Sequence, residues 1–428
     1  MQEHEHPLVG SVRNGDLAAQ RALLSEAADN GHAQLTAALD LAVESFDEPL
    51  VEGLLVWAEP TGWDIDRIGA EDGRTPLLRA VDRGAGDIVS RLLRAGADPR
   101  IKGADGRDAL ALARHWHATG TEAELRRRTR SAEPVRSRTT QDIATNTCRE
   151  LSLGGLTVRD CHTAILTQLE PVYGITAPFA ELLDRALAAP DIEHAVWSAS
   201  RSLLLERDPH AVWDEAAALR DRPDPLARYF GTDMLYVINL LDESEDSPFD
   251  GPLVDLFLPW LEQEENPLVT WGLTVGLTNA LDPRAEQPLV GLTRHPDRRV
   301  RRSAVAGLDA PLRRGDAEAL ATAVACTQDP DAGVRESACW VLSQPPLDSS
   351  AASDALAACL DDEAEAVRVT AATRLVLRDD PRGDELIDAL DALGAVGADS
   401  PYYWQFYEAR RHRDRCRDRR REGRREGR

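Results

Sequence analysis

Lysine is almost missing from this 428-residue chain: Lys102 stands alone, and the other 49 basic side chains are arginine. We read that bias as a mark of the gene's base composition before reading it as function. Aromatic residues make up only 5% of the chain, so each cluster of them carries information. The six cysteines, Cys148, Cys161, Cys326, Cys339, Cys359 and Cys416, form no CxxC pair, which argues against a disulfide framework or a zinc ribbon. Cys326, Cys339 and Cys359 sit among Ala, Val and Leu, as small core residues of a reducing compartment would. No apolar run approaches the roughly 18 residues of a membrane span. The opening MQEHEHPLVGSVRNGD lacks the basic and apolar regions of a signal peptide, so a cytoplasmic location is expected.

Catalytic signatures are missing as well. There is no Walker loop, no GxSxG and no HExxH, and no segment reads as a strand that would support a dinucleotide turn. No enzymatic activity, no cofactor and no metal are therefore expected. His4 with His6, and His115 with His117, alternate near a terminus or helix end and read as solvated. Cys161 and His162 are sequence neighbours, which do not face each other on a helix. The acidic stretch DESEDSPFD, Asp242 to Asp250, lacks EF-hand spacing and reads as a solvated loop.

What is present is a period. Six times between Ala195 and Leu375 a small apolar residue is followed by a small residue or Leu four further on and Leu eight further on. The copies begin at Ala195, Ala227, Val269, Val300, Val334 and Val367 and end at Leu203, Leu235, Leu277, Leu308, Leu342 and Leu375. Steps 0, 4, 7 and 8 share one side of an α-helix, so each copy reads as the second helix of a helical pair. A spacing of 31 to 42 residues indicates a solenoid. Pro223-Asp224, Pro296-Asp297 and Pro330-Asp331 precede three copies, placing Asp where it can accept the free amides of a first turn. Arg228, Arg301, Arg335 and Arg368 follow the first position of four copies. In HPDRRVRRSAVAGL, DPDAGVRESACWVL and DDEAEAVRVTAATRL this order resembles HEAT repeats, over roughly residues 175 to 395. Copy 3 departs with Asn266 and Thr270, and copy 1 with Val196 in place of Arg, so an Asp-Arg ladder is in doubt at both.

The N-terminal third has a different rhythm. GRTPLLRAVDRGAGDIVSRLLRAGADPRIK, residues 73 to 102, resembles an ankyrin repeat, with Thr75 as helix cap, Pro76 at the first position and Gly96 closing the second helix. ADGRDALALAR follows with Asp108 in the Thr position. LVGSVRNGDLAAQRALLSEAAD and LTAALDLAVESFDEPLVEGLL show weaker forms of the same two-helix pattern. The expected organisation is all-α: ankyrin-like repeats over 5–118, a linker and connecting helices over 119–170, HEAT-like repeats over 171–400, and an aromatic cap with an Arg-rich tail over 401–428. Arg126, Arg127, Arg128, Arg130, Arg136 and Arg138 around Pro134 suggest a helix running into a flexible or partly ordered link.

If steps 0, 4, 7 and 8 face the core, steps 2, 5, 6 and 9 face away. The HEAT resemblance implies that second helices line a concave surface, which makes that face a groove wall. Step 2 is Trp197, Tyr229 and Trp271 in succession, then Arg302; Arg201, Asp233, Tyr236 and Trp340 lie on the same face. Trp, Tyr and Arg dominate interface hot spots. These eight residues are the candidate partner-binding site. The competing reading packs the step-2 rings between neighbouring repeats.

The formal charge is -24, with eleven Arg against five acidic residues from Tyr402 onward, so the first 401 residues carry -30. Such a body favours basic partners and repels nucleic acid. Tyr402, Tyr403, Trp404, Phe406 and Tyr407 suit a cap on the open end of a solenoid. The function expected is a non-catalytic protein-interaction scaffold presenting an acidic, aromatic-lined groove to a basic protein. Its narrower form is an inhibitor of a basic toxin or nuclease. The alternatives are a HEAT-like DNA glycosylase using Trp197, Trp271 and Asp233, a bilin lyase, and a nucleic-acid adaptor acting through the Arg-rich tail, the only nucleic-acid route. No membrane partner is expected, and the oligomeric state is open.

Overall fold

The computed structural model describes residues 32–58, 63–68, 72–142, 146–244, 247–344, 349–392 and 400–426. The expected helical pair in LVGSVRNGDLAAQRALLSEAAD, and His4 with His6, lie outside the described residues. The fold is built of stacked helical repeats, all-α but for one small sheet. The chain forms two compact units, residues 1–212 and 213–428.

In the N-terminal unit, α1 (His32–Glu44) and α2 (Glu48–Ala58) form the first described pair. The helices α3 (Pro76–Arg83) and α4 (Gly86–Arg94) form the next. Thr75 accepts the Leu78 amide at 3.2 Å, and Pro76 opens α3 where no amide bond is lost. Then come α5 (Ala109–Thr119), capped by Asp108 through the Ala111 amide at 2.8 Å, and α6 (Thr121–Thr129).

The segment expected as a flexible or partly ordered link forms a small sheet. Three antiparallel strands, β1 (Arg136–Asp142), β2 (Asn146–Leu153) and β3 (Leu156–Arg159), pair in that order. Gly154 and Gly155, both at positive φ of 56° and 82°, make the two-residue turn between β2 and β3, where such backbone angles match the strand twist. Leu151, Leu153 and Val158 from this sheet join Trp116 and Leu125 in one apolar core with the ankyrin helices. The expectation of no strands is thus corrected: the GlyGly hairpin folds back onto α3, where Gly84 packs so closely that an added Cβ would lie 2.0 Å from the Arg159 carbonyl oxygen.

The arginines of this segment are likewise committed within the fold. Arg128 donates to both carboxylate oxygens of Asp82 at 2.7 Å, and Arg74 adds a bond of 2.6 Å. Trp116 Nε1 donates to the same carboxylate at 2.9 Å. Arg127 and Arg128 also grip Glu124, whose side chain is fully buried. The unit continues with α7 (His162–Val172), α8 (Phe179–Leu187) and α9 (Ala195–Leu205), and α10 (Pro209–Ala217) runs across the division between the units.

The C-terminal unit alternates first and second helices: α11 (Pro225–Leu240), α12 (Asp250–Leu261), α13 (Pro267–Asn279), α14 (Glu286–Leu292), α15 (Arg298–Ala306), α16 (Asp309–Arg313), α17 (Ala317–Cys326), α18 (Ala332–Val341), α19 (Ser350–Ala358), α20 (Glu365–Leu377) and α21 (Asp384–Ala392). The long α22 (Tyr403–Glu426) closes the order. Asp224, Asn266, Asp297 and Asp331 cap α11, α13, α15 and α18 through first-turn amides. In these repeats the expected core steps Ala227, Val269, Val300, Val334 and Val367 are fully buried, as are Leu235, Leu277, Leu308, Leu342 and Leu375.

An arginine ladder runs along this array. Arg228 pairs with Glu264 at 2.9 and 2.9 Å, Arg301 with Asp329 at 2.7 and 2.9 Å, and Arg335 with Asp362 at 2.8 and 2.9 Å. Each guanidinium also donates to backbone carbonyls ahead of its own helix, such as Arg335 to Asp329 and Pro330. The carboxylate in each rung stands two residues before the next second helix's cap position and accepts the amide at that position: Glu264 from Asn266, Asp329 from Asp331, Asp362 from Ala364. One rung is missing, where α13 carries Thr270. The matching place before α15 is held by His295, whose Nδ1 accepts the Asp297 amide at 3.1 Å. Both partners of that rung are absent together, so neither leaves an unmatched charge.

Candidate interaction surface

The step-2 rings are positioned by the second helices, and most of them pack inward. Trp197 is only 5% exposed, and its Nε1 donates to the Ala189 carbonyl at 2.9 Å. The reason lies in α9, whose buried residues include Val196, Trp197, Ser200 and Leu204. Leu203 and Ala199, assigned to the core by the repeat, are half-buried and line a cavity of about 340 Å³ with Ala164, Gln168 and Pro171 of α7. A turn of about one residue, roughly 100° on a helix, separates the two registers. Trp197 as a groove residue is therefore corrected: it is a core side chain of the N-terminal unit. Arg201 of the same helix is half-buried.

Tyr229 is 8% exposed and stacks on half-buried Trp271, with ring centroids 5.7 Å apart and planes 12° from parallel. Trp271 donates from Nε1 to Ser303 Oγ at 3.2 Å, and Arg299 lies over its ring at 5.3 Å. The rings on α11 and α13 thus fill the seam between successive second helices, and Tyr229 is not available to a partner. Close approach of these helices depends on Gly272, where an added Cβ would lie 2.1 Å from Thr232 Oγ1. Asp233 and Tyr236 are half-buried on α11.

Exposure rises toward the C-terminal end. Arg302 is exposed, and Trp340 on α18 is 46% exposed. The Arg374 guanidinium lies 3.5 Å from the centroid of the Trp340 ring and contacts Glu408 of α22 at 3.3 Å. Arg374 itself is buried, and that burial lowers its pKa from the ordinary guanidinium range. Along α22, Phe406 and Ala409 are buried against Val369, Ala372, Val376 and Ile387, closing the last repeat. Trp404 and Tyr407 stay outside, 74% and 47% exposed, in edge-on contact at 5.9 Å. These two were read only as cap residues. The Trp404 to Tyr407 spacing of three, set against buried Phe406 and Ala409, was the available signal that one helix face turns outward.

The Arg-rich helix is held in part by the repeat before it: Arg413 bonds to Asp384 at 2.7 Å and Asp388 at 2.9 Å. Side chains beyond residue 416 lie outside the described residues. His115 bonds to Glu124 and His117 to Thr163, so the two do not converge. His162 is stacked on Trp116 at 4.2 Å with planes 8° apart, and burial pushes its pKa down to about 4. Two groups among the described residues bring metal-binding side chains together: Cys148, Asp160 and Cys161, and Asp379, His412 and Cys416. No helix among the described residues is long and apolar enough to cross a membrane.

Family comparison identifies an ankyrin repeat at residues 72–104 and HEAT repeats at 254–343 and 291–377. The chain therefore joins an ankyrin N-terminal part to a HEAT-like region, and both kinds of repeat generally serve as protein-interaction scaffolds and are typically non-catalytic. No curated protein sequence matches it. Among solved structures, Escherichia coli YibA is similar at 16% identity, over 50% of this chain and 75% of that one, with a TM-score of 0.40. An engineered protein is similar at 15% identity over 95% and 97% of the two chains, with a TM-score of 0.39. A Kap121p mutant is similar at 15% identity over 94% and 44%, with a TM-score of 0.29.

Proposed function

We propose that this chain is a non-catalytic scaffold whose C-terminal unit holds a basic protein segment against the last HEAT repeats, around Trp340, Trp404 and Tyr407. The observation that carries this reading is the exposure of three large aromatic side chains, 46%, 74% and 47%, in an array whose other rings are mostly packed. Large aromatic surface left in water is the usual anchor of a partner interface. Arg302 and Trp340 remain of the eight residues first considered as the exposed ones. The acidic balance of the first 401 residues, -30, favours a basic partner.

The test is affinity capture from the native host with the full chain and with Trp340→Ala/Trp404→Ala, followed by mass spectrometry. Both positions are solvent-facing, so the variant should keep its helical circular dichroism. Specific capture of a basic protein by the parent, lost in the variant, is the expected result. Equal capture by both removes this surface from the function. The glycosylase arrangement has no support from the rings it needs: Trp197 is internal and Trp271 is stacked on Tyr229.

A further inference from the structure

The β2–β3 hairpin of the N-terminal unit ends in a group of side chains that the scaffold reading leaves unused. Glu150 and Arg159 are the last formal pair of the ladder. One residue beyond, the Asp160 amide donates to the Arg149 carbonyl at 3.0 Å, while Arg149 donates to the Asp160 carboxylate from its amide and Nε, each at 2.8 Å. One residue further again stand Cys148 and Cys161. The hairpin thereby brings two thiols and a carboxylate together, with Cys148 Sγ, Cys161 Sγ and an Asp160 oxygen all within 4.8 Å of one another. Both thiols are buried, at 1% and 0% exposure.

The surroundings are polar. His194 Nδ1 accepts the Val196 amide at 3.2 Å, which leaves the ring proton on Nε2, 3.0 Å from Asp160 Oδ1. His194 and Arg149 thus both hydrogen-bond to the Asp160 carboxylate and fix its orientation. Cys148, Asp160 and His194 line a cavity of about 550 Å³ with Thr121, Thr139 and Thr147, which reaches the Cys148 and Asp160 side of the group.

Two thiolates and a carboxylate are a ligand set for a soft to borderline divalent cation. Zinc binds sulfur at about 2.3 Å and carboxylate oxygen at about 2.0–2.2 Å in tetrahedral sites. That geometry places ligand atoms about 3.5–3.8 Å from one another, inside the observed limit. We propose that Cys148, Asp160 and Cys161 bind a thiophilic divalent cation, zinc above all, with His194 as a positioning residue that orients the Asp160 carboxylate. Binding releases the two thiol protons to solvent, and the cation ties β2 to the start of α7.

The test uses the full, reduced chain in a Cys416→Ala background, which removes a thiol from the second metal-capable group. Cobalt(II) is the probe. One equivalent should bind with the near-ultraviolet charge-transfer absorption of cobalt–thiolate bonds, and zinc should displace it. Cys148→Ser and Cys161→Ser should each lower that absorption by about half or abolish it. His194→Gln should keep the absorption while weakening affinity about 10- to 100-fold, as loss of an outer hydrogen bond does. A second measurement needs no ligand variant: one equivalent of zinc should release protons into a weakly buffered solution as the thiols become thiolates. Absence of the thiolate absorption at one equivalent, absorption unchanged by Cys148→Ser, or no proton release on addition of zinc overturns the proposal.

Discussion

Arg335 holds Asp362 in a two-pronged bond, 2.8 and 2.9 Å long, that reaches from one second helix to the loop before the next. Arg335 is 7% exposed and also satisfies the Asp329 and Pro330 carbonyls, so one side chain closes two loops. Arg335→Ala removes all of these bonds and leaves the partly buried Asp362 carboxylate without its two-pronged partner, Arg368 acting on it only through its field. We expect a loss of about 3 kcal/mol in the unfolding free energy of the C-terminal unit. Adding Asp362→Ala should cost much less than its single effect, and a double-mutant cycle in urea measures the difference.

The rungs also set the response to acid. Burial opposes ionisation of Glu264 and Asp329, but Arg228 and Arg301 hold both carboxyls below their ordinary range, while the bond to Arg335 is the main cause for Asp362. A carboxylate with a lower pKa when folded adds stability above its unfolded value, near 4, and that stability is lost as the pH falls through the folded value. The C-terminal unit should therefore weaken below about pH 4, and Asp329→Asn should flatten that decline in a pH series of thermal melts.

His162 gives the N-terminal unit a separate window. Burial lowers its pKa from 6.5 to about 4, so the unfolded chain takes up the proton first as the pH falls. Stability present above pH 6.5 is lost between there and about pH 4, with a slope of about 1.4 kcal/mol per pH unit. His162→Phe, which keeps a ring against Trp116, should flatten the slope in that window, leaving the smaller part due to His117, whose pKa burial also lowers. Urea midpoints at pH 7 and pH 5 decide this.

Gly272→Ala tests the ring seam. Its Cβ would meet Thr232 Oγ1 at 2.1 Å and Tyr229 Cδ2 at 3.3 Å, so α13 must move away from α11. We expect a loss of about 1–3 kcal/mol, with part recovered by Thr232→Ala. An increase in Trp271 fluorescence quenching by iodide should accompany it, since separation of the helices opens the stack.

The C-terminal repeats were legible because their pattern is strict: one small residue, one Leu and a capping Asp or Asn recur at fixed steps, and each falls where periodicity puts it. The first copy misled for a physical reason. Leu203, Leu204 and Leu205 run together, so an apolar residue stands at the eighth step in more than one register, and packing in the N-terminal unit selects Leu204. Trp197 turns inward with it. The sheet escaped notice because its strands carry many polar and arginine residues, although Gly154-Gly155 between LSL and LTV is a hairpin signal. The ladder's true acceptors were missed too, since Glu264, Asp329 and Asp362 precede the cap position instead of occupying it.

The rung lacking between α13 and α15 gives the array uneven stiffness. Elsewhere in the ladder a two-pronged charged bond ties each second helix to the loop before the next; at Thr270 and His295 that tie is absent, and the contacts across the junction include the Thr278 bond to the Ser303 carbonyl at 2.9 Å, Arg299 over the Trp271 ring and the Arg284 to Asp255 pair at 2.6 Å. Without its rung this junction should bend more readily than its neighbours and respond less to salt than they do, its remaining Arg284 to Asp255 pair being exposed. Stiffening it takes two substitutions made together, Thr270→Arg with His295→Asp, because either alone would bring in a charge with nothing to meet it.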